Sequence, residues 1–267
     1  MTTFALTVSD SATMLRRGLR RLVRYPSMTV LLVGMPIVFL LLFVYVFGGQ
    51  LGHGLEPALT GGHSGRAGYV NYVAPGILLI TVAAAVQGTA VTVAMDMTGG
   101  IIDRFRTMAI ARSAVLTGHV LASMIQTLAS LGVVLGVAVA MGFRPTADAA
   151  AWLATVGILA LFALALIWLA TALGLAAKSV ETASNTPMFL TLLPFLGSGF
   201  VPTGTMPTGL RQFAEFQPFT SVTTTVRGLL AGAPIGDNAL AAVAWSVGIA
   251  LTCYLWALHL YRNRRRA

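Results

Sequence analysis

The sequence predicts an all-α membrane protein: six transmembrane helices in a single domain over residues 1–267, with the N- and C-termini both in the cytoplasm. Three observations carry this expectation: scarce charge, six long apolar runs, and arginines gathered on one side. Charged residues make up 9% of the 267 positions and hydrophobic ones 57%. That is too little charge to coat a water-soluble globule of this length, and a bilayer is the solvent that suits it.

A helix crossing the hydrocarbon needs about 20 mostly apolar residues. Such runs lie at 27–47, 69–95, 119–141, 152–176, 185–201 and 240–260. The first is expected to remain as an anchor, because it is too long for a signal h-region and FVYVFGGQLG has no small-x-small cleavage site.

Orientation follows from the rule that positive loops stay on the cytoplasmic side. One side receives Arg16, Arg17, Arg20, Arg21 and Arg24, then Arg104, Arg106, Arg112, Lys178, Arg262, Arg264, Arg265 and Arg266. The other receives only Arg66, Arg144, Arg211 and Arg227. Acidic residues divide evenly, with Asp10, Asp96, Asp103 and Glu181 inside and Glu56, Asp148, Glu215 and Asp237 outside. The formal charge of +9 is therefore a property of the cytoplasmic face. Anionic lipid headgroups account for it more simply than nucleic acid, which is not expected as a partner. One lysine among sixteen arginines, with abundant Ala, Val and Gly, suggests a high-GC bacterial source and a multi-pass protein of the bacterial cell membrane.

Several function classes are disfavoured. No Asp, Glu, Lys or Arg falls near the middle of a run, where a proton or sodium relay would need one. Gln87, Gln126 and Asn185 are expected to be interhelical hydrogen-bond partners, and Gly132 and Gly136 to allow close helix contact. His53, His63, His119 and His259 have no carboxylate or cysteine at ligand spacing, so no metal is expected and they read as interface histidines. Cys253 has no cysteine to pair with and reads as a small packing residue. The only lysine, Lys178, is not part of a phosphate-cradling Gly-x-x-x-x-Gly-Lys-Ser/Thr loop, so the chain binds no nucleotide by that device and ATP-driven work needs another subunit. No polar catalytic cluster is evident, and no catalytic residue or cofactor of the chain's own is expected.

Three segments stand outside the plain spans. Residues 9–25 open with capping candidates Ser9 and Asp10, set Leu15, Leu19, Leu22 and Val23 on one helical face, and flank it with arginine, as an interfacial helix does. Residues 99–113 begin at a Gly99-Gly100 break. Ile101, Ile102, Phe105, Met108 and Ala109 then recur at helical spacing, with Asp103, Arg104, Arg106 and Arg112 off the stripe. That pattern suits a cytosolic helix inserted in a groove of another protein, with a second interfacial helix as the plainer alternative.

The third segment, 202–235, is too apolar for an ordinary outer loop and is punctuated by Pro202, Pro207, Pro218 and Pro234. Pro207 can open a short helix bearing Leu210, Phe213 and Phe216, and a second can cover Val222 to Leu230, with a break near Pro218. The segment is expected to dip back toward the membrane as a gate, Arg227 included, or else to rest as a cap on the outer leaflet. Pro187 and Pro194 predict kinks in the fifth run.

At these residues the sequence resembles the permease subunits of type-2 ABC exporters, above all the daunorubicin and doxorubicin resistance group, over nearly its whole length. GGIIDRFRTMAIARSAVLTGHVLA resembles that family's coupling helix and its exit into the third span. GFVPTGTMPTGLRQFAEFQPFTSVTTTVRGLL resembles its extracellular re-entrant helices. The resemblance implies that Ile101, Ile102, Asp103, Arg104, Phe105, Arg106, Met108 and Arg112 sit against an ATPase subunit, Ala109 standing where related chains often have proline. It also implies two separately encoded ATPase subunits that hold the ATP and magnesium, and a second permease chain, identical or sister. The expected activity is outward movement of an amphiphilic small molecule such as a drug, antibiotic or lipid. Export of a polysaccharide or cell-wall lipid is the alternative, and a proton-coupled secondary transporter a more distant one.

Overall fold

The computed structural model describes residues 13, 15, 16, 18, 20, 24, 26–55, 57–60, 62–98 and 112–263, and among these it is helical without strands. Five of its helices are long and apolar enough to cross a membrane. The first is α1 (Pro26–Leu42), prolonged through a π-helical turn at Phe43–Phe47 into Gly48–Leu51. The others are α2 (Gly65–Thr98), α3 (Arg112–Ala140), α4 (Ala149–Ala176) and, after two shorter helices α5 (Thr208–Phe216) and α6 (Pro218–Ala231), α7 (Asn238–Asn263). The chain is a multi-pass membrane protein.

Helix α2 is the central post. At 34 residues it runs about 51 Å at 1.5 Å per residue, and most of it is buried. Its Tyr69 to Ala90 stretch packs on Leu40 and Val44 of α1, Leu131 and Val134 of α3, Phe162 and Leu166 of α4, and Phe219 and Val226 of α6. A second cluster closes the opposite end, where Val93 meets Leu116, Ala172, Leu175, Ala257 and Tyr261. Local chemistry sets the boundaries. The Asp148 carboxylate accepts from the Ala151 amide at 2.8 Å and caps α4. Gly232, at φ 68°, ends α6 in the left-handed conformation that favours glycine.

The described part of the N-terminal segment, residues 13, 15, 16, 18, 20 and 24, is helical. Gly18 lies so close to α3 that an added Cβ would stand 2.6 Å from that of Ala122. Gln126 of α3 donates to Thr29 at the start of α1, one of the interhelical roles expected for the span amides. The start of α1, the end of α2, the start of α3 and the end of α7 therefore share one end of the bundle, the Asp96 end. Tyr72, Arg144 and the start of α4 lie at the other, the Tyr72 end.

The kinked spanning helix expected over 185–201 is instead broken outright, and this corrects the sequence reading of that run. The chain forms short helices at Val180–Asn185 and Met188–Leu192, then turns through 193–200. Pro187 and Pro194 remove amide donors and Gly197 and Gly199 weaken what is left, so regular hydrogen bonding cannot propagate. The run nevertheless climbs the side of α2. Gln87 donates to the Ser184 carbonyl and hydroxyl at 3.2 and 3.1 Å, and Tyr72 donates to the Ser198 carbonyl at 3.0 Å. Those anchors are separated by about 22 Å of helical rise. Phe195 and Phe200 stack on each other, and the edge contact of Phe195 with Phe39 and the tilted contact of Phe200 with Phe43 brace the run against α1 and its π turn.

Close helix contact occurs where the sequence did not point to it. Among the described residues a Cβ at Gly132 or Gly136 would meet nothing within 4 Å, whereas one at Gly76 would stand 2.6 Å from the Gly199 carbonyl oxygen. Gly76→Ala is therefore expected to destabilise the protein by about 1–3 kcal/mol, since two backbones must part to admit the methyl. Thermal unfolding in detergent checks this, and Gly132→Ala, which adds its methyl in open space, serves as the unaffected control.

Candidate functional site

The broken run leaves carbonyls that no helix satisfies, and the side chain that meets them is Arg227. This residue is 4% exposed. Its Nη2 donates to the Ser198 carbonyl at 2.6 Å and to that of Gly199 at 3.5 Å, and its Nε donates to the Tyr72 carbonyl at 3.2 Å. The guanidinium carbon lies 3.9 Å from the centroid of the Tyr72 ring, a cation–π contact strengthened by the dry surroundings. Among the described residues no carboxylate pairs with it. Backbone dipoles and a ring face compensate the buried charge, and a planar fork of donors suits carbonyls on two separate segments.

Around it the three elements are stitched together. The Ser198 amide donates to the Thr220 hydroxyl at 3.3 Å, and the Ser198 and Thr224 hydroxyls lie 3.2 Å apart. One layer away, Asn71 donates to the Thr60 carbonyl at 3.0 Å and accepts from the Arg144 amide at 2.9 Å. The α3–α4 connection is tied in again where the Thr146 amide donates to the Leu230 carbonyl at 2.9 Å. A small cavity opens between Asn71, Arg144 and Arg227.

The other residues singled out in 202–235 lie apart from this core. Pro202 precedes a 3-10 turn at Thr203–Thr205, Pro207 precedes α5, and Pro218 is the first residue of α6 with the break just before it. On α5, Leu210, Phe213 and Phe216 are exposed, Phe216 at 78%. The Arg211–Glu215 pair there, at 2.7 Å, is exposed and worth a few tenths of a kcal/mol at about ε 80. So the proline-bounded helices form where expected, but Arg227 joins the interior and the α5 apolar residues do not.

The Asp96 end holds a pair that spacing could not reveal. Asp96, 4% exposed, lies on the last turns of α2, and its Oδ2 is 3.2 Å from Nε2 of His119 on α3. His119 is thus not simply an interface histidine. It links the two helices that flank residues 99–111. That connection, with Ile101, Ile102, Asp103, Arg104, Phe105, Arg106 and Met108, lies outside the described residues, and of Arg112 only its place as the first residue of α3 is given. On the same end, the Ser179 hydroxyl accepts from the Thr182 amide, and its bond to Glu181 holds that carboxyl below its usual range.

Comparison with known proteins agrees with this architecture. The chain is 27% identical over 262 residues to the daunorubicin resistance ABC transporter permease protein of Streptomyces coeruleorubidus, covering 97% of this chain and 88% of that one. It is 24% identical over 192 residues to the probable doxorubicin resistance ABC transporter permease protein of Mycobacterium tuberculosis, covering 71% and 68%. A family model described as ABC-2 type transporter matches residues 11–231. With that match spanning most of its helices, from the N-terminal segment to the end of α6, the chain belongs to the ABC-2 type transporter family.

Proposed function

We propose that the chain is the transmembrane permease subunit of an ATP-driven exporter in the bacterial plasma membrane, moving an amphiphilic small molecule such as a drug, antibiotic or lipid outward. The similarity to two drug-resistance permeases over most of their length carries this reading. ATP and magnesium are held by separate ATPase subunits, and a second permease chain completes the pathway. The chain itself hydrolyses nothing.

In this reading the chain crosses six times, the broken run 185–201 being the fifth crossing. It climbs from Gln87 to Tyr72 beside α2, and α4 ends and α7 begins at opposite ends of the bundle. The arginine-rich side puts the Asp96 end in the cytoplasm and the Tyr72 end outside. Helices α5 and α6 then form a re-entrant outer gate, and residues 9–25 an interfacial helix.

Residues 99–113 dock on the ATPase subunit, which closes on ATP and pushes on the hairpin clasped by Asp96 and His119. Helix α2 carries both Asp96 and Tyr72, about 36 Å apart along its axis, so displacement at one end is passed rigidly to the carbonyl cluster at the other. Co-expression with the ATPase subunit encoded beside it tests the assignment. Co-purification through a tag on this chain, with ATP hydrolysis, is the expected result, and failure from well-folded protein with every candidate ATPase overturns it. Arg104→Ala and Phe105→Ala are expected to insert normally, keep ATPase activity and lose at least tenfold in transport. Normal transport by both removes the docking role of 99–113.

A further inference from the structure

The break between α5 and α6 buries a polar group that nothing in the described protein meets. Gln217 is 5% exposed, and neither its Nε2 nor its Oε1 has a hydrogen-bond partner among the described residues. Its backbone is fully used, the amide donating to Phe213 and the carbonyl accepting from Thr220, so only the carboxamide is left over. A buried amide without partners costs on the order of 1–3 kcal/mol, which an apolar residue of the same length would avoid.

Its position is informative. Gln217 is the N-cap of the 14-residue α6, yet its side chain makes no capping bond. A Cβ at Gly197 would stand 2.8 Å from the Gln217 Nε2 and 2.6 Å from the Thr220 hydroxyl, so the amide folds over the first turn of α6, beneath the turn at Gly197. Phe219, two residues on, packs edge-on to Phe162 at 5.0 Å, and Phe162 is midway along the 28-residue α4. The N-terminus of α6 therefore ends near mid-depth of the bundle. A half-helix N-terminus presents partial positive charge there, among apolar neighbours.

We infer that the Gln217 carboxamide and the N-terminal turn of α6 form a hydrogen-bonding subsite for the hydroxyl group of an amphiphilic substrate, covered by the turn at Gly197. This rests on the exporter reading above and names the polar feature its cargo carries. A hydroxyl is the small neutral group that can donate to Oε1 and accept from Nε2, and its oxygen suits the helix N-terminus. The apolar remainder of such a molecule lies among the surrounding aliphatic and aromatic side chains.

The test uses the full-length chain assembled with its ATPase subunits in nanodiscs. Binding of doxorubicin, which bears several hydroxyls, is compared with that of tetraphenylphosphonium, an amphiphile with no hydroxyl or amide. Gln217→Met and Gln217→Leu are expected to bind doxorubicin about tenfold more weakly, to bind tetraphenylphosphonium as the wild type does, and to melt at an equal or higher temperature. Unchanged doxorubicin binding overturns the subsite and assigns the amide to a bound water. Equal weakening of both probes with a lowered melting temperature overturns it in favour of a structural role. Wild-type protein that binds no doxorubicin overturns it too, and whether that preparation still contains the ATPase subunit shows if the exporter reading falls with it.

Discussion

Replacing Arg227 by methionine is expected to lower the stability of the detergent-purified protein by about 2–4 kcal/mol. Methionine fills much of the same volume, so the loss is electrostatic. It strips Nη2 from the Ser198 and Gly199 carbonyls and Nε from that of Tyr72, in surroundings where water cannot replace them. Two effects oppose this loss. Removing a charge relieves its desolvation, and Ser198 keeps the Tyr72 hydroxyl at 3.0 Å. The Gly199 carbonyl has no substitute donor among the described residues and that of Tyr72 keeps only the bond of its own helix, so destabilisation prevails. Arg227→Lys is expected to fall between, because one ammonium cannot fork to two segments and still cover the Tyr72 ring. Thermal unfolding of the three proteins checks the order, and methionine protein as stable as wild type would rule the account out. If α6 is part of the outer gate, both variants also export doxorubicin more slowly.

The second large effect is expected at the opposite end. His119→Leu removes the Nε2 contact from a carboxylate that is 4% exposed and is expected to cost about 1–3 kcal/mol, the range for a buried polar group that loses one of its partners. Asp96→Asn should cost less, about 1 kcal/mol, because a neutral amide in the same place can still accept from the imidazole. The double replacement Asp96→Leu with His119→Leu is expected to cost less than the two single replacements added together, since both sides of the contact are removed at once. Chemical denaturation of the wild type, Asp96→Leu, His119→Leu and the double variant forms the cycle, and additive effects would mean that the pair is not coupled. Transport per ATP should fall further in His119→Leu than stability alone explains, because α2 and α3 flank the connection assigned to ATPase docking.

What could be read beforehand divides along physical lines. Helix content, the five long spans and the proline-bounded α5 and α6 were legible because they depend on local quantities: run length, hydropathy and the missing donor of Pro207 and Pro218. The hydrogen-bonding roles of Gln87 and Gln126 were legible too, since an amide in a span must find a partner. The run 185–201 was read as one helix kinked at Pro187 and Pro194, but with Gly197 and Gly199 added the prolines break it outright rather than bend it. Gly132 and Gly136, spaced for contact within a chain or across chains, meet no neighbour within 4 Å among the described residues of this one chain, while Gly76 meets Gly199 from a segment 123 positions away.

The amino-acid sequence alone determined the solvent this chain folds in and the long helices it forms, because both follow from composition and short-range periodicity. It also carried the resemblance that the family match supports. Tertiary structure alone decided the partners of the isolated polar residues. Arg227 found the carbonyl of a broken run 28 residues away in sequence, His119 found Asp96 between α2 and α3, and Gln217 was left with no partner among the described residues. Those outcomes depend on which backbones approach one another in a medium without water, where each polar group must be met by whatever the fold brings near.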